Sequence, residues 1–326
     1  MVLDAQSLEN RGLKMMKVLI LSDQKPGHLN PSISLATLMG WDYDVFNLRY
    51  KNRSAKKMSY LCDGLFIKAP KLYKSLPEKN SYELIISAGS NTFYANKMLA
   101  KDWKIPNIAL LYPRGYRLNF SHILCPNYDH PPKRSNITAL PVNLSCTEPN
   151  WYRKKATEFI KNQHQPHRSS IGLVIGGSSF RSKIDPNQLR EQITDVLEKT
   201  PEHEHWVTTS RRTTPEIDAL LQEFPFDYQL IWSQNPYNPL PAFIELCEQL
   251  YITEDSASMV SEAVSYGRSS VTVLETQTLK KKHKLNEFIQ NLISDGYLKD
   301  MYTVSDTPTK KINIKPLIEK ALRDID

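Results

Sequence analysis

Short apolar runs that end near glycine, serine or proline recur along this chain, and each has the length of a buried parallel strand. They lie at 17–22, 83–88, 107–111, 122–125, 171–175, 205–209, 228–232, 250–253 and 270–274. Helix-length segments separate them, at 32–39, 91–101, 150–162, 186–199, 215–223, 239–248 and 257–266. This alternation predicts an α/β protein with parallel sheets and crossover connections.

A change of composition divides the chain into two halves. Prolines cluster between 126 and 166, and polar residues dominate 161–170, so we place a domain junction near 150–170. We expect a flexible extension over 1–15, a first α/β domain over 16–160 and a second over 169–311.

Composition narrows the class of protein. The chain has 326 residues, of which 40% are hydrophobic and 24% charged, as in globular proteins. No run approaches the roughly 18 apolar residues that span a bilayer, and the polar first 15 residues do not resemble a secretory signal. The four cysteines lie far apart, without a C-x-x-C pair, which disfavours a zinc site or a disulfide framework and favours reduced thiols in the cytoplasm.

The formal net charge is +7, and many of the basic residues fall in one segment. This basic patch consists of Arg49, Lys51, Arg53, Lys56, Lys57, Lys68, Lys71 and Lys74, opposed within the segment by Asp63. Such a patch attracts polyanions. It fits a solvated helix face, an anionic membrane surface or a lipid-linked acceptor. Nucleic acid is not expected, because no nucleic-acid-binding module accompanies the patch.

Four loops of the second half follow predicted strands and contain groups that bind anions. In an open parallel sheet, ligands bind at the carboxyl ends of the strands. Glycines allow close approach of the backbone, arginines pair with phosphate, and a Ser-rich helix start favours an anion. The loop residues that we single out are Gly176, Gly177, Ser178, Ser210, Arg211, Arg212, Asn235, Glu254, Asp255, Ser256, Ser258 and Met259.

Glu262 lies one helical turn beyond Ser258, on the same predicted helix face. Its carboxylate could accept hydrogen bonds from ribose hydroxyls. The alternative is that Ser256 is a simple N-cap and that Glu262 faces solvent. Similarly, the Asn235–Pro239 segment is either a turn with a cap or an aromatic wall for a base.

The loop after the first strand combines a carboxylate, an ammonium group and an imidazole. Asp23 or His28 could serve as a general base toward an acceptor hydroxyl, and Lys25 could meet a phosphate or an acidic acceptor. The segments Ser87–Asn91 and Tyr112–Arg114 follow later strands and should line the same site.

Several of these motifs, in this order, resemble one known family. SDQKPGH, GGSS, TTSRRT and TEDSASMVSEAVSYG together are similar to the bacterial relatives of the plant mitochondrial-fission-type proteins, which are regarded as glycosyltransferases of the GT-B fold. The resemblance runs from about residue 16 to residue 275. It implies two Rossmann-like domains whose parallel sheets face a central cleft, with a C-terminal helix at 312–326 that crosses back to the N-terminal domain.

The resemblance also implies roles for these residues. The N-terminal domain would bind the acceptor through Lys25, Gly27, Asn30, Ser90 and Arg114, with Asp23 and His28 as catalytic residues. The C-terminal domain would bind the nucleotide-sugar donor through the second-half residues named above. No cofactor is expected, and the resemblance implies no obligatory metal.

The resulting hypothesis is a metal-independent glycosyltransferase, acting at the inner face of the cytoplasmic membrane on lipopolysaccharide core or another anionic glycolipid or polysaccharide. A nucleotide-sugar epimerase of the same fold is one alternative. A non-catalytic binding protein held at an anionic membrane by the basic patch is the other.

Overall fold

The structure is a computed structural model that describes residues 16–145, 149–178, 182–278, 284–303, 307–323 and 325. These residues divide into two compact units. The first contains the described residues of 1–147 and 314–326, and the second contains those of 148–313. The expected extension at 1–15 lies outside the described residues. None of the described helices is both long enough and apolar enough to cross a membrane.

A six-stranded parallel sheet forms the centre of the first unit. Its strands are β1 (Lys17–Ser22), β2 (Asp42–Asn47), β3 (Leu84–Ala88), β4 (Asn107–Leu110), β5 (His122–Pro126) and β6 (Ile137–Leu140). The order across the sheet is β2-β1-β3-β4-β5-β6. The interior strands β3, β4 and β5 are buried along their whole length, as expected for strands covered on both faces.

The second unit also has a parallel sheet, formed by five of its seven described strands. The seven strands are β7 (Ser170–Ile175), β8 (Ser182–Lys183), β9 (Glu204–Thr209), β10 (Tyr228–Leu230), β11 (Gln249–Thr253), β12 (Ser270–Leu274) and β13 (Gln277–Thr278). The parallel sheet has the order β10-β9-β7-β11-β12, while β8 and β13 form a separate antiparallel pair. The predicted class, with two parallel α/β sheets, is therefore confirmed.

Ten α-helices are described. They are α1 (Pro26–Met39), α2 (Arg53–Gly64), α3 (Phe93–Trp103), α4 (Pro149–Asn162), α5 (Pro186–Lys199), α6 (Pro215–Leu221), α7 (Leu240–Leu246), α8 (Ala257–Ser265), α9 (Lys284–Ser294) and α10 (Lys315–Leu322). Helix α5 has the predicted bounds, because Asp185 caps it with hydrogen bonds from two backbone amides and Pro186 occupies its first turn. Helix α10 groups with the first unit.

Helix α1 begins six residues earlier than predicted. Pro26 starts it, and the helix continues through Pro31 to Met39, whereas the sequence predicts a helix over 32–39. Pro31 has no N–H to donate to the Gly27 carbonyl, and the Ser32 hydroxyl adds a hydrogen bond to the His28 carbonyl at 3.1 Å. Gly27, His28 and Asn30 therefore lie on a helix rather than in a loop.

Helix α4 belongs to the second unit. Phe159 on α4 packs against Trp206 and Phe243, with ring centroids 5.3 and 5.9 Å apart. The second unit therefore begins before residue 160, where the sequence predicts the end of the first domain. The helix that follows the proline-rich segment packs on the second sheet.

The turn that follows helix α2 contains a residue with an unusual backbone conformation. Phe66 has a φ of 60°, and the amides of Phe66 and Ile67 donate to the carbonyls of Asp63 and Cys62. This is the Schellman arrangement, in which the left-handed position usually holds glycine. A phenylalanine there costs about 1–2 kcal/mol of backbone strain.

Candidate functional site

The loops predicted to bind a donor lie at one edge of the second sheet. Strands β7, β9 and β11 are adjacent and parallel, so the residues that follow them, Gly176, Ser210 and Glu254, share the carboxyl edge. The structure therefore brings together three segments that are far apart in the sequence.

Asp255 connects these loops. Its buried carboxylate accepts hydrogen bonds from the Gly177 amide at 3.1 Å, from the Thr253 hydroxyl at 2.7 Å and from the Arg212 guanidinium at 2.9 Å. Burial raises the pKa of Asp255, while these three donors act in the opposite direction. We call Asp255 with Gly176, Gly177, Thr253 and Arg212 the Asp255 cluster.

The two glycines of the Asp255 cluster let the loops pack closely, and their backbone amides are not free to bind a ligand. The Gly176 amide donates to the Thr253 hydroxyl at 2.7 Å and the Gly177 amide donates to Asp255, so both are used within the protein. A Cβ at 176 would overlap the Asp255 carboxylate, and a Cβ at 177 would overlap the main-chain carbonyl of Arg212. Close packing of the three loops requires glycine at both positions.

We expect Gly177→Ala to destabilise the protein by about 1–3 kcal/mol, because the added methyl group must displace backbone atoms. Gly64→Ala is the matched control, since a Cβ at 64 meets no atom within 4 Å. Chemical denaturation of both variants measures the difference. Equal stability of the two variants would contradict the tight packing at Gly177.

The two adjacent arginines have different environments. Arg212 pairs with Asp255, and its side chain is 43% exposed. Arg211 is exposed, and within the part of the chain that the structure describes no ion pair involves it. Arg211 is therefore better placed than Arg212 to give both of its guanidinium edges to a phosphate.

Helix α8 begins at the same edge. Ser256 is its N-cap, and its hydroxyl is 3.5 Å from the Met259 amide, which is long for a hydrogen bond. Ser258 is exposed and Met259 is half-buried in the first turn. The start of α8 thus offers backbone amides and a serine hydroxyl to an anion.

Glu262 is neither a plain surface residue nor a free acceptor. It is half-buried on the second turn of α8, and Tyr152 of α4 donates to its Oε1 at 3.2 Å. Burial raises the pKa of Glu262 to about 7, although the Tyr152 hydrogen bond acts against the shift. The Tyr152 ring in turn stacks on Tyr266, with centroids 4.5 Å apart.

The remaining donor candidates have mainly local contacts. The Ser178 hydroxyl accepts a hydrogen bond from the Ile184 amide at 3.2 Å, and its own proton can still be donated. Glu254 accepts from the amide and hydroxyl of Thr276, so it closes the neighbouring turn. Asn235 is exposed on the segment that precedes α7.

In the first unit, Asp23 and His28 form a hydrogen-bonded pair. His28 Nδ1 lies 2.9 Å from Asp23 Oδ1, and the Asn91 side-chain amide donates to Asp23 Oδ2 at 2.8 Å. Burial alone would raise the pKa of Asp23. The hydrogen bond and charge of His28, together with the hydrogen bond from Asn91, outweigh burial, and the pKa of Asp23 is lowered. Asp23 is therefore ionised near neutral pH, which requires Nδ1 to carry the proton and leaves Nε2 as the basic nitrogen.

Gly89 completes this arrangement. Its φ is 83°, and a Cβ at this position would overlap the His28 ring. The imidazole thus lies directly against the backbone that follows β3. Gly89 and Asn91 belong to the segment expected to line the site, but only Ser90 of that segment was singled out from the sequence.

The acceptor candidates all belong to the first unit. Lys25 is exposed, with its ammonium group 3.6 Å from Asp23. Gly27 and Asn30 are exposed on the first turns of α1. The Ser90 hydroxyl accepts a hydrogen bond from Lys56 at 3.0 Å, and Arg114 pairs with Asp129 at 3.3 Å.

Comparisons with known proteins agree with this architecture. A family profile described as "Mitochondrial fission ELM1" matches residues 26–322. No curated protein has a sequence that matches this chain.

Among solved structures, the chain is similar to the UDP-GlcNAc 2-epimerase of Methanocaldococcus jannaschii, with a TM-score of 0.51 and 11% identity over 95% of this chain and 92% of that chain. It is also similar to the glycotransferase of kitacinnamycin, with a TM-score of 0.50 and 12% identity over 96% and 90%. These likenesses show a GT-B-like fold.

Proposed function

This chain belongs to the mitochondrial fission ELM1 family, and from the two groups of residues described above we propose that it is a glycosyltransferase that uses a nucleotide-sugar donor. Donor binding is assigned to the second unit and activation of the acceptor to the first. The observation that carries the proposal is the Asp23–His28 pair, because transfer to a hydroxyl needs a base at the strand edge where the acceptor would bind.

The proposed chemistry is a direct displacement. His28 Nε2 removes the proton of the acceptor hydroxyl, whose oxygen forms a bond to the anomeric carbon. The bond from that carbon to the diphosphate oxygen breaks, and the configuration inverts. Asp23 remains a carboxylate and stabilises the imidazolium that forms. Arg211 and the start of α8 stabilise the charge on the departing diphosphate, and this scheme requires no metal or other cofactor.

Glu262 is assigned to the ribose of the donor, one turn below the anion-binding start of α8. For the acceptor, we propose an anionic cell-envelope glycan such as lipopolysaccharide core or another lipid-linked glycan. The basic patch supports this assignment, because seven of its eight members are exposed and only Lys56 is half-buried. The enzyme would then act at the inner face of the cytoplasmic membrane.

A thermal-shift screen against UDP, GDP, ADP, CMP and their sugar conjugates tests the donor site. A nucleotide present at 100 times its Kd should stabilise the protein by about 2.7 kcal/mol. Product analysis with the stabilising nucleotide sugar then separates the activities. Transfer to an added acceptor supports the proposal, whereas a changed sugar in the absence of acceptor would identify an epimerase. A screen without any stabilising nucleotide would contradict both.

Arg211→Ala should weaken nucleotide binding about 10-fold, because one charge-assisted pair with phosphate is lost. Arg190→Ala is a suitable control, since Arg190 pairs with Glu223 on the surface and is not one of the candidate donor residues. Isothermal titration gives both dissociation constants. An unchanged Kd for Arg211→Ala would remove Arg211 from the donor site.

A further inference from the structure

Helix α2 exposes apolar side chains and buries polar ones. Met58, Leu61 and Leu65 are 48%, 55% and 59% exposed, whereas Ser59 and Asp63 are at most 3% exposed. A helix on a globular surface normally shows the opposite pattern. The exposed side of α2 and the residues that follow it therefore form an apolar surface that solvent alone does not explain.

A cavity of about 650 Å³ opens beside this surface, within the first unit. Its walls come from the end of α2, from α3 and from the segment that leads into β5. Apolar side chains make up much of the lining: Phe66, Ile67, Tyr94, Met98, Ile105 and Phe120. The volume lies in the range of pockets that bind small organic ligands. None of the lining residues is a candidate donor or acceptor residue, and one of them, Lys68, also belongs to the basic patch.

The same cavity carries an excess of positive charge. Lys68, Lys97, Lys101 and Arg117 line it, against the carboxylates of Asp63 and Asp102. Asp63 is already paired with Lys97 and with Arg117, and Asp102 is paired with Lys68 at 2.6 Å. Lys101 is exposed at the wall.

Arg117 has a further unusual feature. Its Nε is buried, and among the described residues it has no hydrogen-bond partner. The buried Nε is out of reach of a ligand in the cavity, but the Arg117 side chain is 29% exposed and lines the cavity. An anionic group in the cavity can therefore pair with the terminal nitrogens of the guanidinium.

Phe66 connects the apolar surface with this charge. Its ring is 71% exposed, lines the cavity and lies over the Arg117 guanidinium, 3.4 Å from the ring centroid to the carbon of that group. The left-handed backbone of Phe66 holds the ring in this place. An aromatic ring and a cationic group are thus stacked at the wall of the cavity.

From these observations we infer that the cavity binds an anionic amphiphile, with its alkyl chain along Phe66, Ile67, Met98 and Ile105 and its anionic group at Lys101 and Arg117. A chain without charge would leave the excess cations unpaired, and a small anion would leave the apolar walls uncovered. The ligand could be a monomer in solution or a lipid within a bilayer. The inference is independent of the proposed transfer reaction.

Isothermal titration with dodecyl phosphate, below the concentration at which it forms micelles, is the first test. Dodecyl maltoside carries the same chain without charge, and inorganic phosphate carries the charge without a chain. We expect saturable binding of dodecyl phosphate to the wild-type protein, at least about 10-fold tighter than of either comparison compound. Equal binding of the two dodecyl compounds, or no binding of dodecyl phosphate, overturns the inference.

Two variants locate the binding. Lys101→Glu reverses the charge at the wall, and Phe66→Gly removes the ring while placing glycine at a left-handed position that suits it. Each should weaken dodecyl phosphate binding about 5- to 10-fold. Lys133→Glu changes an exposed lysine of the first unit that belongs neither to the cavity lining nor to the basic patch, and should alter the affinity less than about 2-fold.

Thermal unfolding of each variant shows whether it is folded. If Lys133→Glu weakens binding as much as Lys101→Glu, the effect is that of general surface charge and the cavity is excluded. Flotation with phosphatidylcholine vesicles, with and without phosphatidylglycerol, distinguishes the two sources of the ligand. Vesicle binding that Lys101→Glu reduces and Lys133→Glu does not supports the cavity taking a bilayer lipid. If the wild-type protein binds vesicles but does not bind dodecyl phosphate in solution, the inference is overturned.

Discussion

His28→Ala should lower the rate of sugar transfer by about 10²- to 10⁴-fold, the usual contribution of a positioned general base. The reason is that Nε2 is the basic nitrogen of a histidine whose other nitrogen is held by ionised Asp23. Donor affinity should not change, because His28 belongs to the first unit and donor binding is assigned to the second. Steady-state kinetics with the donor found by the nucleotide screen would measure kcat, and titration would measure the Kd of the nucleotide.

Two further variants make this test specific. Asp23→Asn preserves the shape of the side chain but removes its negative charge, so it should lose much of the same rate through the wrong histidine tautomer. His167→Ala alters an exposed histidine of the second unit and should leave the rate unchanged. A His28→Ala variant with full activity would exclude His28 as the base.

Glu262→Gln should make the protein more stable than the wild type above pH 7, by about 2–3 kcal/mol. The pKa of Glu262 is raised by burial from 4.5 to about 7 in the folded state. Between these two values the folded protein holds a proton that the unfolded chain has released, so stability falls as the pH rises through this window. Above pH 7 the wild type bears the whole cost of a buried charge, which glutamine does not have.

Denaturation curves at pH 4.5, 6 and 8 would measure this effect. Near pH 4.5 the two proteins should be similar, because the glutamate is then protonated in the folded state, and the difference should grow with pH. Glu198→Gln changes an exposed glutamate of α5 and serves as the control. A constant difference between Glu262→Gln and the wild type at all three pH values would contradict titration of Glu262.

The sheets could be predicted from the sequence because their interior strands are apolar on both faces. Strands β1, β3, β7 and β9 begin and end within one or two residues of the predicted runs. β2 escaped prediction because it is an edge strand with the polar sequence DYDVFN, and most of its residues are exposed. Its place in the sheet depends on backbone pairing with β1, which leaves no apolar pattern.

Helix α2 illustrates a different limit. Its polar and apolar residues do not follow the usual division between surface and core, since Asp63 is buried and Leu61 is exposed. Only the partners Lys97 and Arg117, which come from later segments, explain why a carboxylate can be buried there. Such a partner set cannot be deduced from the helix alone.

The candidate site could likewise be predicted from the sequence only in part. Loops after strands could be predicted, because parallel strands bring their carboxyl ends to one edge. The contribution of Tyr152 to Glu262 could not, since they lie on two helices 110 residues apart. Asn91 was within a predicted loop, but only the structure shows that its amide orients Asp23.

The Asp255 cluster also constrains how this sequence can vary. The carboxylate fills the space left by the absent side chain at 176, and the main chain of Arg212 fills that at 177. A larger residue at either glycine is compatible only with a change at 255 or with a different course of the loop at 212. These positions, spread over about 80 residues of chain, can therefore be substituted only together.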